Sequence, residues 1–227
     1  MSREARNAAD EAPALPEDET ADIQLMFKPC TVVGITGGIS TGKSTFSDRL
    51  RQELGAKLFD ADRAARQLVD QDPEVRDLLR QAFGGEIFSA DGNLNRAALR
   101  AIVFADREKK RALEQILHPR IRRQWATEAE ESRQSGELFL ADIPLLYETN
   151  GETLCDRVVV VACTQEIQLQ RLIARTRLPS SSALDMIHSQ IPLAQKISRA
   201  DHVVWNNGPL SALAAQAGLF ARFLISK

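Results

Sequence analysis

Residues 30–50 read CTVVGITGGISTGKSTFSDRL, and this stretch decides the fold. Cys30–Ile35 is an apolar, strand-like run. Gly37–Ser44 (GGISTGKS) satisfies the phosphate-loop template G-x-x-x-x-G-K-[ST], and Lys43–Leu50 opens a helix. Glycines at 37 and 42 let the backbone curl tightly enough for successive N–H groups to face phosphate oxygens. Gly38, Ile39, Ser40, Thr41 and Gly42 are therefore expected to cradle a nucleotide, and the positive end of the following helix dipole faces the same phosphates. Lys43 should reach the β- and γ-phosphates, the Ser44 hydroxyl should ligate Mg²⁺ between them, and Thr45 lies close enough to meet the α-phosphate. An ordinary glycine-rich turn would not require strand, loop and helix in this order.

Working outward, 227 residues suffice for one substantial α/β domain with a helical insert. A net charge of −2 gives no global attraction to nucleic acid or to an anionic membrane, so a small-molecule partner is favoured. Cys30, Cys155 and Cys163 are odd in number and lack metal-ligand spacing, which suggests reduced thiols in a cytoplasmic setting. No apolar run approaches a membrane span, and no basic-then-apolar leader opens the chain. A monomer or weak homo-oligomer is expected. Residues 1–28 are rich in Ala, Glu, Asp and Pro and read as a disordered acidic tail; residues 29–227 form the folded domain.

Four further strands are expected at Ala56–Phe59, Leu138–Ala141, Arg157–Ala162 and His202–Trp205. Their continuous apolar character suits a parallel sheet covered on both faces. Helical spacing runs from Arg63 to about Ala82 and from Asn95 to about Arg133, where Pro119 should kink or divide the second stretch. Residues 63–135 thus read as a helical insert. Helices are also expected at Gln165–Arg175, Ser180–Gln190, Leu193–Ala200 and Leu210–Leu224. Strand and helix alternate as in a doubly wound, five-stranded parallel α/β sheet, which binds ligands beyond the carboxyl ends of its strands.

Phosphoryl transfer needs positioning and charge neutralisation, so the companions to seek are a base, a metal-shell carboxylate and mobile cations. Asp62 emerges just past the second strand and is a candidate base, or else the N-cap of the helix beginning at Arg63. Asp60 either supports the metal or closes the turn. Asp142, at the end of an apolar strand, has the placement of a carboxylate that holds Mg²⁺ through water. Arg171 and Arg175 share one helical face and, with Arg177 nearby, form the strongest cationic cluster, a lid over about 171–190 or a solvated helix end. His118, Trp125 and Trp205 read by themselves as packing residues.

These residues together resemble the dephospho-coenzyme A kinase family over about residues 32–216. Thr36–Thr45 resembles its nucleotide loop, with Ser40 and Thr41 in place of a frequent Gly-Ser. Asp60-Ala61-Asp62 followed by Ala65-Arg66 resembles its acidic signature, which implies that Asp62 meets the ribose hydroxyl and that Arg66 belongs to the substrate region. Leu117-His118-Pro119 matches a signature of the substrate-binding insert, and Pro144-Leu145-Leu146 with Glu148 matches an element near the acceptor. Gln168 to Arg171, together with Arg175, resembles the arginine-bearing lid. Gln190-Ile191-Pro192, Lys196, Ala200-Asp201 and Asn206-Asn207-Gly208 follow in the family's order, Asn206 and Gly208 being expected near the adenine of ATP.

The resemblance implies transfer from Mg²⁺-ATP to the 3′-hydroxyl of the dephospho-CoA ribose, with Lys43, Asp62 and Arg175 as catalytic residues and Arg171 assisting. Another small-metabolite or nucleoside monophosphate kinase is the alternative. A GTP-dependent switch is disfavoured, since no D-x-x-G follows the loop and no N-K-x-D or T-K-x-D is present.

Overall fold

A computed structural model describes residues 31–226. Five strands form one sheet in the order β2-β3-β1-β4-β5, namely β1 Val32–Gly37, β2 Lys57–Asp60, β3 Phe139–Asp142, β4 Arg157–Ala162 and β5 His202–Trp205. All four pairings are parallel, with Ile35 beside Asp142 and Val159, and Asp60 beside Asp142. The predicted doubly wound parallel sheet is thus the observed architecture. The first strand lies two residues later than its apolar run suggested, because hydrogen bonding to β4 continues to Gly37. The expected Cys30 start lies outside the described residues.

Successive residues of the strands point to opposite faces, and each face has its own helices. Val33, Ile35, Leu140, Val159 and Val161 pack with Phe46 and Leu50 of α1 (Lys43–Leu54) and with Leu213, Ala217 and Phe220 of the last helix, α9 (Leu210–Ile225). On the other face Val32, Phe139, Ala141, Val158 and Val160 meet Trp125 and Ala129. Burying side chains such as Phe46 or Trp125 contributes about 1.5–3 kcal/mol each, so both helix layers are firmly anchored.

Four helices link β2 to β3: α2 Ala61–Gln71, α3 Pro73–Phe83, α4 Arg96–Ala105 and α5 Arg107–Ser135. Two breaks differ from the periodicity reading. The first stretch divides at Asp72, whose carboxylate accepts from the Val75 N–H while Pro73 occupies the first turn, a strong helix-start chemistry. The second divides at Asp106, which caps Glu108 and Lys109, and not at Pro119. There α5 continues as one helix of 29 residues, held on one side by the insert's core (Val75, Leu79, Phe83, Leu99) and on the other by the sheet. Packing on both flanks outweighs the one backbone hydrogen bond that Pro119 removes.

Beyond β4 come α6 (Gln165–Thr176), α7 (Ser180–His188) and α8 (Leu193–Ser198). Cys163 is buried and Cys155 half-buried. Among the described residues no helix is long and apolar enough to cross a membrane. The acidic N-terminal segment, 1–28, lies outside the described residues.

Candidate active site

The phosphate loop leaves the carboxyl end of β1, the central strand, and contacts from distant segments hold its shape. Gly42 has φ +94°, and the Asn206 side chain occupies the space a Cβ would need. Only glycine fits there without displacing a buried amide. Asn206 Nδ2 donates to the Thr41 carbonyl at 2.8 Å, and Thr41 Oγ1 donates to the Gly38 carbonyl at 2.9 Å. Ile39 is gripped from both sides: its N–H donates to Gln190 Oε1 at 3.1 Å, and its carbonyl accepts from Gln168 Nε2 at 2.8 Å. Ser40 takes a left-handed φ of 60°, and its hydroxyl is buried without a hydrogen-bond partner.

Acidic groups converge on the loop's lysine. Lys43 Nζ is paired with Asp142 Oδ1, and the two side chains are 11% and 3% exposed. Burial lowers the Lys43 ammonium to about 8, against the upward pull of Asp62 and then Asp60 and with a further downward push from Lys196. Contact with the Asp142 carboxylate favours the charged form. Asp60 accepts from the Arg63 N–H and so caps α2. Asp60 and not Asp62 is therefore the cap, and the Asp62 carboxylate lies exposed in the first turn of α2.

A cavity of about 920 Å³ opens over the carboxyl ends of β1 and β3. Its floor is the phosphate loop from Gly38 to Thr45; one wall carries Asp62, Pro144 and Leu145, and the opposite rim carries Arg171, Arg175 and Gln190. The remaining wall is a stripe of α5 at helical spacing, in which Leu117, Ile121 and Trp125 alternate with Glu114, His118 and Arg122. Burial lowers the His118 pKa, Glu114 opposing it, so His118 is neutral near pH 7. Arg171 Nη1 is buried without a partner. A smaller cavity of about 310 Å³, lined by Thr45, Arg49, Gln52, Leu210 and Leu213, lies between α1 and α9.

Several expected site residues stand elsewhere. Leu146 is fully buried beneath the wall, packed against Gly34 and Gly151; in the element Pro144-Leu145-Leu146 the chain turns its third side chain into the core. Arg66 is exposed and off the cavity wall, one helical turn from Asp62. Gly208 does not line the large cavity, and Asn206 touches the loop from behind. Gln168, Gln190, Glu148 and Lys196 were quoted as parts of signatures without a role, and the structure brings all four to the loop or the wall behind it. The Ser44 hydroxyl and Asp142 carboxylate are hard oxygen donors suited to Mg²⁺.

A glycine-rich loop between the central strand of a parallel sheet and a helix, faced by carboxylates and overhung by arginines, makes this a P-loop kinase in class. Comparison with known proteins narrows the class. Residues 31–212 match the dephospho-CoA kinase family. Dephospho-CoA kinase of Listeria monocytogenes is 42% identical over 198 residues, which cover 86% of this chain and 98% of that protein. Dephospho-CoA kinase from Campylobacter jejuni, a solved structure, is 25% identical with a TM-score of 0.62, covering 87% of this chain and 98% of that one. A Thermus thermophilus crystal structure is 33% identical with a TM-score of 0.65, covering 86% and 98%. The chain belongs to the dephospho-CoA kinase family.

Proposed function

We propose that the protein transfers the γ-phosphoryl group of ATP to the 3′-hydroxyl of the dephospho-CoA ribose, releasing CoA and ADP. The observation that carries this reading is the single cavity lined by the phosphate loop, the free Asp62 carboxylate, two arginines and the half-apolar stripe of α5. A nucleotide's phosphates and a bulky alcohol can meet there.

In this reading the backbone N–H groups of Gly38–Gly42, with Lys43, hold the triphosphate, and Thr45 meets the α-phosphate. Base and ribose extend toward the smaller cavity between α1 and α9, with Asn206 and Gly208 near the adenine. Ser44 and Asp142 would hold Mg²⁺, which would supply charge neutralisation for the triphosphate. Lys43 exchanges its contact with Asp142 for the phosphate oxygens. Asp62 orients the 3′-hydroxyl and accepts its proton as the oxygen attacks in line. Arg171 and Arg175 approach from α6 to offset charge on the moving phosphoryl group and exclude water. His118, Pro144 and Leu145 contact the acceptor, with Arg66 meeting it at the mouth. An odd number of cysteines without metal-ligand spacing and the chain's near-neutral charge favour action in the cytoplasm.

The test is incubation of the protein with Mg²⁺-ATP, with and without dephospho-CoA, following ADP release and the mass of the acceptor. The proposal expects the acceptor to gain one phosphate and ADP release to depend on it. Acceptor-independent ADP release with no change in acceptor mass would refute it.

A further inference from the structure

Lys196 is fully buried, and a buried ammonium persists only where each of its hydrogens finds a partner. Its Nζ lies 2.8 Å from Glu148 Oε1, 3.0 Å from the Pro144 carbonyl and 3.3 Å from the Gly37 carbonyl. All three donors are used, one on the phosphate loop and two on the acceptor wall. Gly37 ends β1 and begins the phosphate loop. Pro144 opens the acceptor wall, and its carbonyl also accepts from Thr36 Oγ1 at 3.1 Å. Glu148 lies on that wall, and its Oε1 also accepts from the Ile191 N–H at 3.1 Å. The preceding residue, Gln190, accepts from the Ile39 N–H in the middle of the loop. The contacts thus close a circuit from the start of the loop through Lys196 to the acceptor wall, on to the end of the lid segment, and back to the loop.

We infer that Lys196 is a positioning residue that sets the separation between the phosphate loop and the acceptor wall, so that it governs transfer to the acceptor and not the grip on the nucleotide. The inference rests on the proposed kinase reaction. No other cation is hydrogen-bonded to both the loop's first carbonyl and the acceptor wall among the described residues. In-line attack tolerates little error, and misplacement by about 1 Å costs on the order of 100-fold in rate. Among the described residues the Thr36 hydroxyl is the other side chain that reaches the Pro144 carbonyl, while the Ile143 N–H on the Ile35 carbonyl and the Lys43–Asp142 pair hold only the root of the wall, so loss of the ammonium frees the segment from Pro144 to Glu148 to shift against the loop.

The test compares the wild type with Lys196→Met and with the double variant Lys196→Met/Glu148→Gln. The single variant strands a buried carboxylate and risks misfolding. The double variant removes both charges, and an amide oxygen at position 148 still serves the Ile191 N–H. Three quantities are read for each folded protein: ATP affinity by calorimetry, phosphoryl transfer to dephospho-CoA, and acceptor-independent ATP hydrolysis. The expected result for the double variant is an ATP Kd within about 3-fold of wild type, a kcat for transfer lower by about 10- to 100-fold, and unchanged hydrolysis. Phosphoryl transferred per ATP consumed then falls. Unimpaired transfer, or transfer and hydrolysis falling together, would overturn the positioning role alone. Absence of transfer by the wild type would overturn the kinase reading and this inference with it.

Discussion

Replacement of Ser40 by glycine should stabilise the nucleotide-free protein. Ser40 is held at φ 60°, a left-handed conformation that costs a residue with a Cβ roughly 1–2 kcal/mol. Its hydroxyl is buried with no partner, which adds about 1–3 kcal/mol of lost hydration. Against this, glycine gains flexibility in the unfolded chain and gives back about 0.5–1 kcal/mol. The balance favours Ser40→Gly by about 1–4.5 kcal/mol, which for a chain of this size is a rise in Tm of about 2–18 °C. Scanning calorimetry without nucleotide reads it. Ser40→Ala removes the hydroxyl and keeps the backbone cost, so its Tm should fall between those of the wild type and the glycine variant. A glycine variant melting at or below the wild type, or an alanine variant melting below it, would mean that the loop gains from this serine what the structure says it does not.

Three further outcomes are expected. Asp62→Asn should keep ATP affinity within about 3-fold while lowering kcat by roughly 100- to 10,000-fold, measured by calorimetry and steady-state assay; full turnover would remove Asp62 as the base. Lys43, lowered by burial from 10.5 to about 8, should give two pH trends of opposite sign. ATP binding needs the ammonium, so affinity holds below about pH 8 and falls above it. Between about 8 and 10.5 the unfolded chain retains a proton that the folded chain has lost, so this residue's contribution to stability rises with pH over that window. Lys43→Met should abolish both trends, as titration calorimetry and thermal melts across that range would show. Arg171→Ala, which removes a half-buried guanidinium whose Nη1 is buried without a partner, should leave or raise the Tm of the free protein while reducing kcat by about 10- to 1,000-fold. A lower Tm with normal kcat would make it a packing residue.

Much of the site lies in local sequence, because the phosphate loop is a local device: spacing, two glycines and a following helix suffice to name it. Asp62 was legible as a candidate but not separable from a helix cap, since both uses favour an aspartate after a strand. The difference rests on a boundary two residues away, where Asp60 takes the Arg63 N–H. Pro73 and Pro119 show the same limit from the other side. Each removes a donor, yet the helix breaks only where a neighbouring aspartate can cap the new start and packing does not oppose it. Leu146 could not be distinguished from Leu145 by type, only by which side of a turn it occupies. The supports of the loop were the least legible. Gln168, Gln190 and Lys196 reach residues 129, 151 and 159 positions away, and no periodicity or short motif encodes such a pairing.

The strand order has a consequence for how the molecule could change its substrate. With β1 in the middle, β2 and β3 lie to one side and β4 and β5 to the other, and the chain visits the first side completely before it visits the second. The walls proposed to face the acceptor, from Asp62 to Thr149, therefore belong to one uninterrupted stretch. The loop's supports from Gln168 to Asn206 belong to another. A new alcohol could be admitted by rewriting a single cassette of the chain between β2 and β4, with the phosphate-handling half copied unaltered.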